Sequence, residues 1–256
     1  MEFAVAATGK ANVVKLTVTC QRCSLRGICE PADLPAAEQA RLDAIIERRR
    51  PYSRGEHLYR AGEPFRSVFC VKSGSIKTYA TTDKGEEQVT GFHLPGELIG
   101  LEGISTGHNT TDAVALETSS VCEIPYERLQ EISNDVPMLL HQIIQLTSQE
   151  ILHGQTLTML ISKKSAEERL AALLLSLSDR FANRGFSPTD FYLSMSRHDI
   201  GNFLGMAVET VSRVFTRFDN EGLISVRRKH IKLLDLPRLR ELAGTAKIPS
   251  PATAHF

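Results

Sequence analysis

The chain has 256 residues with 30 basic and 30 acidic side chains, so its formal net charge is zero and any surface for nucleic acid must be local. A hydrophobic fraction of 42% is ordinary for a globular protein, and the length allows two modest domains. No run of about 18 apolar residues occurs, and the N-terminus lacks the apolar core of a secretory signal. We therefore expect a cytoplasmic protein with no membrane partner.

The cysteines are the first candidate for a chemical site. Cys20, Cys23 and Cys29 form a C-x2-C-x5-C pattern, and Cys122 follows much later in the chain. Four thiolates are the usual ligands of a [4Fe–4S] cluster and also of a structural zinc ion. In a reducing compartment, clustered cysteines indicate metal ligands rather than disulfides, but their spacing does not choose between iron and zinc. Cys70 lies inside an apolar run and is predicted to be a buried small hydrophobe.

A short helix and a set of strands are predicted next along the chain. Leu42, Ile45 and Ile46 have helical spacing within residues 35–50, and Pro51 is expected to end that helix. From residue 52 to residue 125, short apolar runs alternate with turn residues, which favours an antiparallel barrel or roll. The predicted strands cover residues 68–71, 76–79, 88–92 and 114–116.

Residues 138–161 contain no proline and predict a helix of roughly 24 residues, about 36 Å long. It carries two apolar stripes. The stripe that suits packing on the roll consists of Leu139, Ile143, Leu146, Leu157 and Leu160. The other stripe follows a 4-3 spacing that suits the same helix of a second copy, and consists of Leu140, Ile144, Thr147, Ile151, Gly154, Thr158 and Ile161. We therefore expect a homodimer; a wholly buried core helix is the alternative.

The C-terminal third has the pattern of a helix-turn-helix. Ser165 and Glu168 form a capping box that opens one helix, and residues 196–199 form another. Gly205 permits a tight turn before a second helix over residues 208–218. Residues 223–234 consist of two apolar runs around a basic turn, as in the β-hairpin wing of a DNA-binding domain.

The exposed face of this second helix carries residues that can read DNA. They are Glu209, Thr210, Ser212, Arg213 and Arg217. Arginine can bond guanine through O6 and N7, and glutamate can accept from cytosine N4. Glu209 and Arg213 are four residues apart, so they share a face and can also pair with each other. Residues 196–240 hold nine basic and five acidic side chains, and this local charge of +4 favours phosphate contacts.

These parts, in this order, resemble the CRP/FNR superfamily of bacterial regulators. Glu209-Thr-Val-Ser212-Arg213 is similar to the E-x-x-S-R recognition pattern of its FNR branch, the fumarate and nitrate reduction regulators, and the resemblance runs from Cys20 to near Leu242. It implies an α+β fold with an N-terminal antiparallel β-roll of the cupin or cyclic-nucleotide-binding kind, a long dimerisation helix and a C-terminal winged helix-turn-helix. The expected domains are residues 1–30 with the cysteine loop, 31–137, 138–162, 163–243 and a flexible tail, 244–256.

The resemblance also implies a cofactor and a way of regulation. A [4Fe–4S] cluster would be held by Cys20, Cys23, Cys29 and Cys122. In the family, oxygen converts this cluster to a [2Fe–2S] form, after which the dimer weakens and DNA binding is lost. The family generally carries an acid near the centre of the dimer stripe, where this chain has Gly154.

The implied DNA target is a palindrome similar to TTGAT-N4-ATCAA. Arg213 would contact its guanine, Glu209 the paired cytosine, and Ser212 the neighbouring T·A pair. The expected contacts to the DNA backbone are Thr210, Arg217, Arg228 and Lys229. Contact with RNA polymerase is expected at the turn that contains Thr82, Asp83, Gly85 and Glu86.

Other sensing functions fit the sequence less well. Cyclic-nucleotide rolls bind phosphate through an arginine, but residues 98–122 contain none, and Glu102 and Asp112 would repel an anion. His57, His93 and His108 are candidates for haem, although single histidines in a roll are more often structural. A zinc-stabilised or a nucleotide- or haem-responsive regulator therefore stays open as an alternative. Nothing resembles a nucleophile elbow or a phosphate loop, so we expect no enzyme activity.

Overall fold

The computed structural model describes residues 35–244, except for the side chain of Gln142. Within this range a β-roll, a long helix and a winged helix-turn-helix follow one another, so the α+β fold is as expected. Cys20, Cys23 and Cys29, the N-terminal segment and residues 245–256 of the expected tail lie outside the described residues. Within the described part, no helix is long and apolar enough to cross a membrane.

The roll consists of two four-stranded antiparallel sheets packed face to face. One has the order β1-β8-β3-β6 and the other β2-β7-β4-β5. The strands are β1 (Glu47–Arg48), β2 (His57–Tyr59), β3 (Ser67–Ser73), β4 (Ile76–Thr81), β5 (Glu87–His93), β6 (Leu98–Ile99), β7 (Asp112–Ala115) and β8 (Ser120–Pro125). Val71 and Val121 from the first sheet meet Ile76 and Ala113 from the second in a buried apolar cluster, which holds the two sheets together.

The first helix is shorter than the sequence predicts. Helix α1 (Ala36–Ile45) ends before Ile46, whose backbone is extended, and not at Pro51. Glu47 and Arg48 leave the helix because they pair with the edge of β8 as strand β1. Tertiary pairing therefore overrides the helical pattern of residues 46–50.

Three more helices complete the N-terminal half: α2 (Gly103–Thr106), α3 (Tyr126–Asp135) and α4 (Pro137–Lys163). Helix α4 has 27 residues and begins with Pro137, which is tolerated there because the first helical N–H has no partner in the helix. Of the stripe predicted to face the roll, Leu139, Leu146 and Leu160 are buried. Leu139 packs in one cluster with residues of α1 and α3, so this face anchors α4 on the roll.

The C-terminal part is a winged helix-turn-helix with a three-stranded sheet. Its elements are α5 (Ala166–Ala182), β9 (Asp190–Tyr192), α6 (Arg197–Leu204), α7 (Val208–Asn220), β10 (Ile224–Arg227), β11 (His230–Leu233) and α8 (Leu236–Ala243). Both predicted capping boxes form, at Ser165 and at Ser196. Gly205 ends α6 with a φ of 62°, a left-handed conformation that glycine adopts without strain. Strand β9 joins the predicted hairpin in the order β10-β11-β9.

Candidate functional site

Helix α7 has one face in the core and one face in solvent. Val211, Val214, Phe215 and Phe218 are buried, as the sequence predicts. On the opposite side Glu209, Ser212 and Arg213 are exposed, and Thr210 is half-buried. The expected base-contacting residues therefore share a surface that no part of the described chain covers.

Hydrogen bonds on this surface orient the arginine. Nη2 of Arg213 donates to the hydroxyl oxygen of Thr210 at 3.1 Å, and the hydroxyl of Ser212 donates to the carbonyl of Val208 at 2.9 Å. No ion pair joins Glu209 to Arg213 in the described structure. Glu209 and Arg213 therefore present separate acceptor and donor groups to solvent.

Arg217, the next arginine on α7, is engaged with two carboxylates. Its Nε donates to Glu221 at 2.7 Å, and its Nη1 forms an ion pair with Glu167 on α5. The hydrogen bond to Glu221, followed by the charge of Glu167, raises the pKa of Arg217. Exposed pairs of this kind contribute little to stability, so Arg217 can exchange them for a phosphate.

The wing presents two basic residues at its turn. Arg228 and Lys229, between β10 and β11, are exposed, and Arg228 has a φ of 60°. The ammonium group of Lys229 donates to the carbonyl of Ser194 at 3.1 Å, which holds this side chain next to the start of the helix-turn-helix. The two wing residues among those expected at the DNA backbone are thus at the tip of the wing.

Arg197 differs from the other basic residues of this region. Its guanidinium lies 3.2 Å from the centre of the Phe215 ring, and burial lowers its pKa to about 10. Arg197 is one of the nine basic residues behind the local charge of +4, but its side chain packs α6 on α7. A cation over an aromatic face contributes to packing as well as to charge.

Cys122 is the one expected metal ligand that lies within the described residues. It is in β8, opposite Cys70 of β3 and Arg48 of β1, and it is partly exposed, whereas Cys70 is buried as predicted. Val121 points into the core between the sheets, so Cys122 and Ile124 point to the outer face. Ile124 packs there with α1 and α3. In residues 35–244, no three His, Cys, Asp or Glu side chains gather as a metal site.

The second stripe of α4 is left without a partner by the described chain. Leu140, Ile144 and Ile151 are each at least 50% exposed, and a Cβ placed on Gly154 would meet no atom within 4 Å. The hydroxyls of Thr147 and Thr158 donate to carbonyls of α4 itself, at 2.9 Å each. Ile161 is half-buried because its side chain lies beside the Gly205 turn. The stripe therefore offers an apolar face without unsatisfied hydroxyls.

A cavity of about 780 Å³ lies between the roll and α4, and its lining includes Leu140, Ile144 and Ile151 of the second stripe. Glu102 and Glu150 line it, and none of its lining residues is Arg or Lys. Glu102 accepts a hydrogen bond from Thr111 at 2.8 Å. Such a lining offers no cation to a phosphate.

The candidate histidines of the roll have structural hydrogen bonds. The Nε2 of His57 lies 3.1 Å from the hydroxyl of Tyr79, and that of His93 lies 3.0 Å from the hydroxyl of Thr78. Burial lowers the pKa of His93 to about 4, so its ring is neutral at physiological pH. These bonds support a structural function for both rings.

Comparison with known proteins agrees with this architecture. Residues 49–135 match the family model of the cyclic nucleotide-binding domain, and residues 168–242 match that of the Crp-like helix-turn-helix domain. The solved structure of FixK2 from Bradyrhizobium japonicum superposes with a TM-score of 0.72 at 28% identity. It covers 79% of this chain and 99% of that one.

Curated relatives match most of the sequence. The transcriptional activator protein Anr of Pseudomonas aeruginosa is 53% identical over 225 residues, which is 88% of this chain and 92% of that protein. The fumarate and nitrate reduction regulatory protein of Escherichia coli is 48% identical over 227 residues, which is 89% of this chain and 91% of that protein. The chain therefore belongs to the FNR branch of the CRP/FNR superfamily, and it is a transcription regulator and not an enzyme.

Proposed function

We propose that this protein is an oxygen-responsive regulator that binds DNA as a homodimer and holds a [4Fe–4S] cluster with Cys20, Cys23, Cys29 and Cys122. The observation that carries the proposal is the position of Cys122 on the outer face of the roll. Helix α1 packs on this same face, through the cluster that contains Ile124. The chain that leads into α1 is the predicted cysteine loop.

The length of the connecting segment supports this ligand set. Cys29 precedes Ala36, the first residue of α1, by seven positions. An extended chain of seven steps spans at most about 25 Å, so Cys29 would lie within that distance of the start of α1, which packs on the roll. Thiolates are the usual ligands of iron–sulfur clusters, and Cys122 is partly exposed on the face on which α1 packs.

The choice of iron over zinc rests on the sensing function. Zinc has no redox change, whereas a bound iron–sulfur cluster supplies a group that oxygen can alter. A relative named for the regulation of fumarate and nitrate reduction favours a regulator of anaerobic metabolism. Zinc-bound protein with oxygen-independent DNA binding is the alternative that the experiment below distinguishes.

The dimer is proposed to form through residues 138–162 of α4, and its contact surface is the second stripe of that helix. Its exposed apolar side chains would pack against the same side chains of a second copy. Leu152 and Met159, which are 56% and 67% exposed, widen this stripe. A continuous row of exposed large apolar side chains is unusual for a monomer and is typical of an interface.

We call the winged helix-turn-helix, residues 163–243, the reader. Each reader of the dimer is proposed to bind one half of a palindrome similar to TTGAT-N4-ATCAA. Arg213 would bond guanine, Glu209 the paired cytosine and Ser212 the adjacent T·A pair. The contacts to phosphate would come from Thr210, Arg217, Arg228 and Lys229. The two-fold symmetry of such a dimer matches the symmetry of a palindrome.

RNA polymerase is the second macromolecular partner that we propose. Its contact is the turn between β4 and β5, which contains Thr82, Asp83, Gly85 and Glu86, all exposed. The amide of Thr82 donates to the carbonyl of Glu86 at 2.9 Å, and that of Gly85 donates to Thr82 at 2.8 Å. This closed turn holds its side chains outward on a fixed backbone.

The cavity of the roll supports the proposal that no cyclic nucleotide controls this protein. A cyclic nucleotide brings a phosphate, and binding that anion next to Glu102 and Glu150 without a lining cation would be unfavourable. The roll is thus proposed to serve as the frame for the cluster and for α4.

Anaerobic purification followed by absorbance and by iron and sulfide counts tests this function. We expect brown protein with four irons and four sulfides per chain. Cys122→Ser should abolish the colour and the anaerobic DNA binding, while Cys70→Ser, whose buried thiol is not a proposed ligand, should keep both. Colourless wild-type protein that contains zinc would contradict the cluster, and a normal cluster in Cys122→Ser would contradict the ligand set.

A further inference from the structure

The edge strand of the roll makes an unusual pair of hydrogen bonds. Strand β5 lies at the edge of its sheet, so the outward backbone groups need partners. The side chain of Asn202, on α6, supplies them. Its Oδ1 accepts from the amide of Val89 at 2.5 Å, and its Nδ2 donates to the carbonyl of Glu87 at 2.5 Å. The amide of Asn202 thus replaces the peptide group of a neighbouring strand.

An ion pair strengthens this docking of α6. The ammonium of Lys77, on β4, lies 2.8 Å from Oδ1 of Asp199, and both side chains are 12% exposed. Oδ2 of Asp199 accepts from the amide and the hydroxyl of Ser196, which caps α6. Burial alone would raise the pKa of Asp199, but the bonds from Lys77 and Ser196 hold it below its ordinary value. One carboxylate therefore both caps the helix and joins it to the roll.

Apolar contacts continue the same junction. The rings of Phe92, on β5, and Phe203, on α6, lie 5.0 Å apart between centroids. Both belong to a single buried cluster that also includes Val89 of the roll and Leu170 of α5. Gln88 adds a hydrogen bond from its side chain to the backbone carbonyl of Asn202, at 2.8 Å. The reader therefore packs directly on the roll, in addition to being linked to it through α4.

This docking leaves the DNA-reading surface open. Glu209, Ser212 and Arg213 are exposed on α7 while Asn202 and Asp199 are bonded to the roll. The contact thus does not occlude the reader. It fixes the direction in which α7 points from the roll.

We propose that Asn202 is a positioning residue for DNA binding: its side-chain amide, with the Lys77–Asp199 pair, holds the reader in the orientation that two half-sites require. This inference rests on the proposed function. A dimer of this class places its recognition helices about 34 Å apart, one turn of DNA. A reader that is already oriented avoids the entropic cost of ordering it on DNA.

The test compares full-length, anaerobically prepared wild type with Asn202→Ala and Asn202→Asp, which keeps the shape but loses the donor. Affinities are measured at one salt concentration for the palindrome, for the same half-sites with one more base pair between them, and for a single half-site. We expect each variant to bind the palindrome about tenfold more weakly, because Asn202→Ala loses both hydrogen bonds, and Asn202→Asp loses the one to Glu87 and sets a carboxylate oxygen against that carbonyl. Its preference for the correct spacing should fall, while half-site binding stays unchanged.

Thr81→Ala serves as the matched control, because Thr81 is exposed at the end of β4 in the same β-hairpin and its change should leave all three affinities unaltered. Hydrogen exchange at the Val89 amide gives a readout without DNA, and it should be faster in both Asn202 variants. Unchanged affinity and spacing preference would overturn the inference, and so would tighter binding of the palindrome by the Asn202 variants. A wild type that binds no palindrome would contradict the proposed function itself.

Discussion

Among single residues, the side chains proposed to contact bases lie on a few positions of α7 and differ in their surroundings. Arg213 is exposed and is oriented by Thr210, while Arg217 is engaged with two carboxylates and Arg197 is stacked on Phe215. Arginines that look equivalent in the sequence therefore differ in whether their guanidinium groups already have partners within the protein. Of these three arginines, Arg213 is the one whose partner in the described structure is a hydroxyl and not a carboxylate or an aromatic ring, which supports its proposed contact with a base.

Arg213→Ala should lower the affinity for the palindrome by about 1–3 kcal/mol, and the loss should concentrate at the G·C pair. Lys229→Ala should weaken binding more evenly across sequences and reduce the salt dependence, because its expected partner is phosphate. Competition with base-substituted palindromes measures both effects. An Arg213→Ala protein with an unaltered preference at the G·C position would contradict the assigned contact.

Burial of His93 predicts a pH dependence of stability. Its pKa falls from an ordinary value of 6.5 to about 4, chiefly because burial disfavours the charged ring. Between these values the unfolded chain binds a proton that the folded chain does not, so the free energy of unfolding decreases as the pH falls. The slope is at most about 1.4 kcal/mol per pH unit for one group.

His93→Gln should flatten this part of the stability curve, since an amide can bond Thr78 but does not titrate. Urea unfolding of both proteins at several pH values from 7 down to 4 measures the difference. Identical slopes in wild type and variant would show that His93 does not contribute to the acid sensitivity.

Local patterns predicted many of these residue positions. The capping boxes at Ser165 and Ser196 and the buried face of α7 depend on neighbours within one or two turns, so the sequence contains the whole signal. Asn202 has no such signal, because its partners Glu87 and Val89 are far away along the chain. The same holds for Glu97, because its partners Arg180 and Arg184 are 83 and 87 residues away along the chain.

At the scale of elements, α4 has the largest consequences for function, because it has one face on the roll and another without a partner. Its length and both stripes were predictable, since helical periodicity is strong over 27 residues. The short strands β1, β2 and β6 have two or three residues each and depend on pairing with distant strands. Local periodicity therefore does not predict them. The predicted C-terminal end of α1 was wrong because residues 47 and 48 pair with the distant strand β8.

Gly154 lies on the dimer stripe, where the family generally has an acid. Gly154→Asp should place two like charges at the dimer seam, where desolvation makes their repulsion costly. We expect a weaker dimer of the cluster-free protein and a greater oxygen sensitivity of DNA binding, even though replacing a mid-helix glycine gains about 1 kcal/mol of helix propensity at most.

Sedimentation of the cluster-free proteins measures this effect directly. Gln155→Asp is the matched control, because it adds the same charge to an exposed position next to the stripe. Equal monomer fractions for wild type and Gly154→Asp would contradict this function of Gly154 and leave the cluster proposal unaffected.

At the scale of the whole molecule, the roll and the reader share a buried ionic junction. Glu97 has no exposed surface and bonds Arg180 at 2.5 and 2.9 Å and Arg184 at 2.5 Å. Burial by itself would raise the pKa of Glu97, but the two guanidiniums hold it below its ordinary value. This stabilisation is present at neutral pH and is lost as the pH falls through the lowered pKa.

Glu97→Gln should destabilise the protein by about 3–5 kcal/mol, since it leaves two buried arginines without a countercharge. Chemical denaturation monitored by circular dichroism checks the magnitude. Glu56→Gln, which breaks the exposed pair with Arg50, is the control and should have little effect. Equal effects of the two substitutions would contradict the importance of the buried junction.

In the proposed function, oxygen controls DNA binding through a cluster that Cys122 of the roll helps to hold. The most direct test measures the affinity of one full-length preparation for the palindrome, first without oxygen and then after exposure to air, with iron and sulfide counted each time. We predict tight, sequence-specific binding by the anaerobic dimer, and after exposure a loss of cluster iron and sulfide together with a large loss of affinity. Equal affinities before and after the cluster is lost would contradict the account.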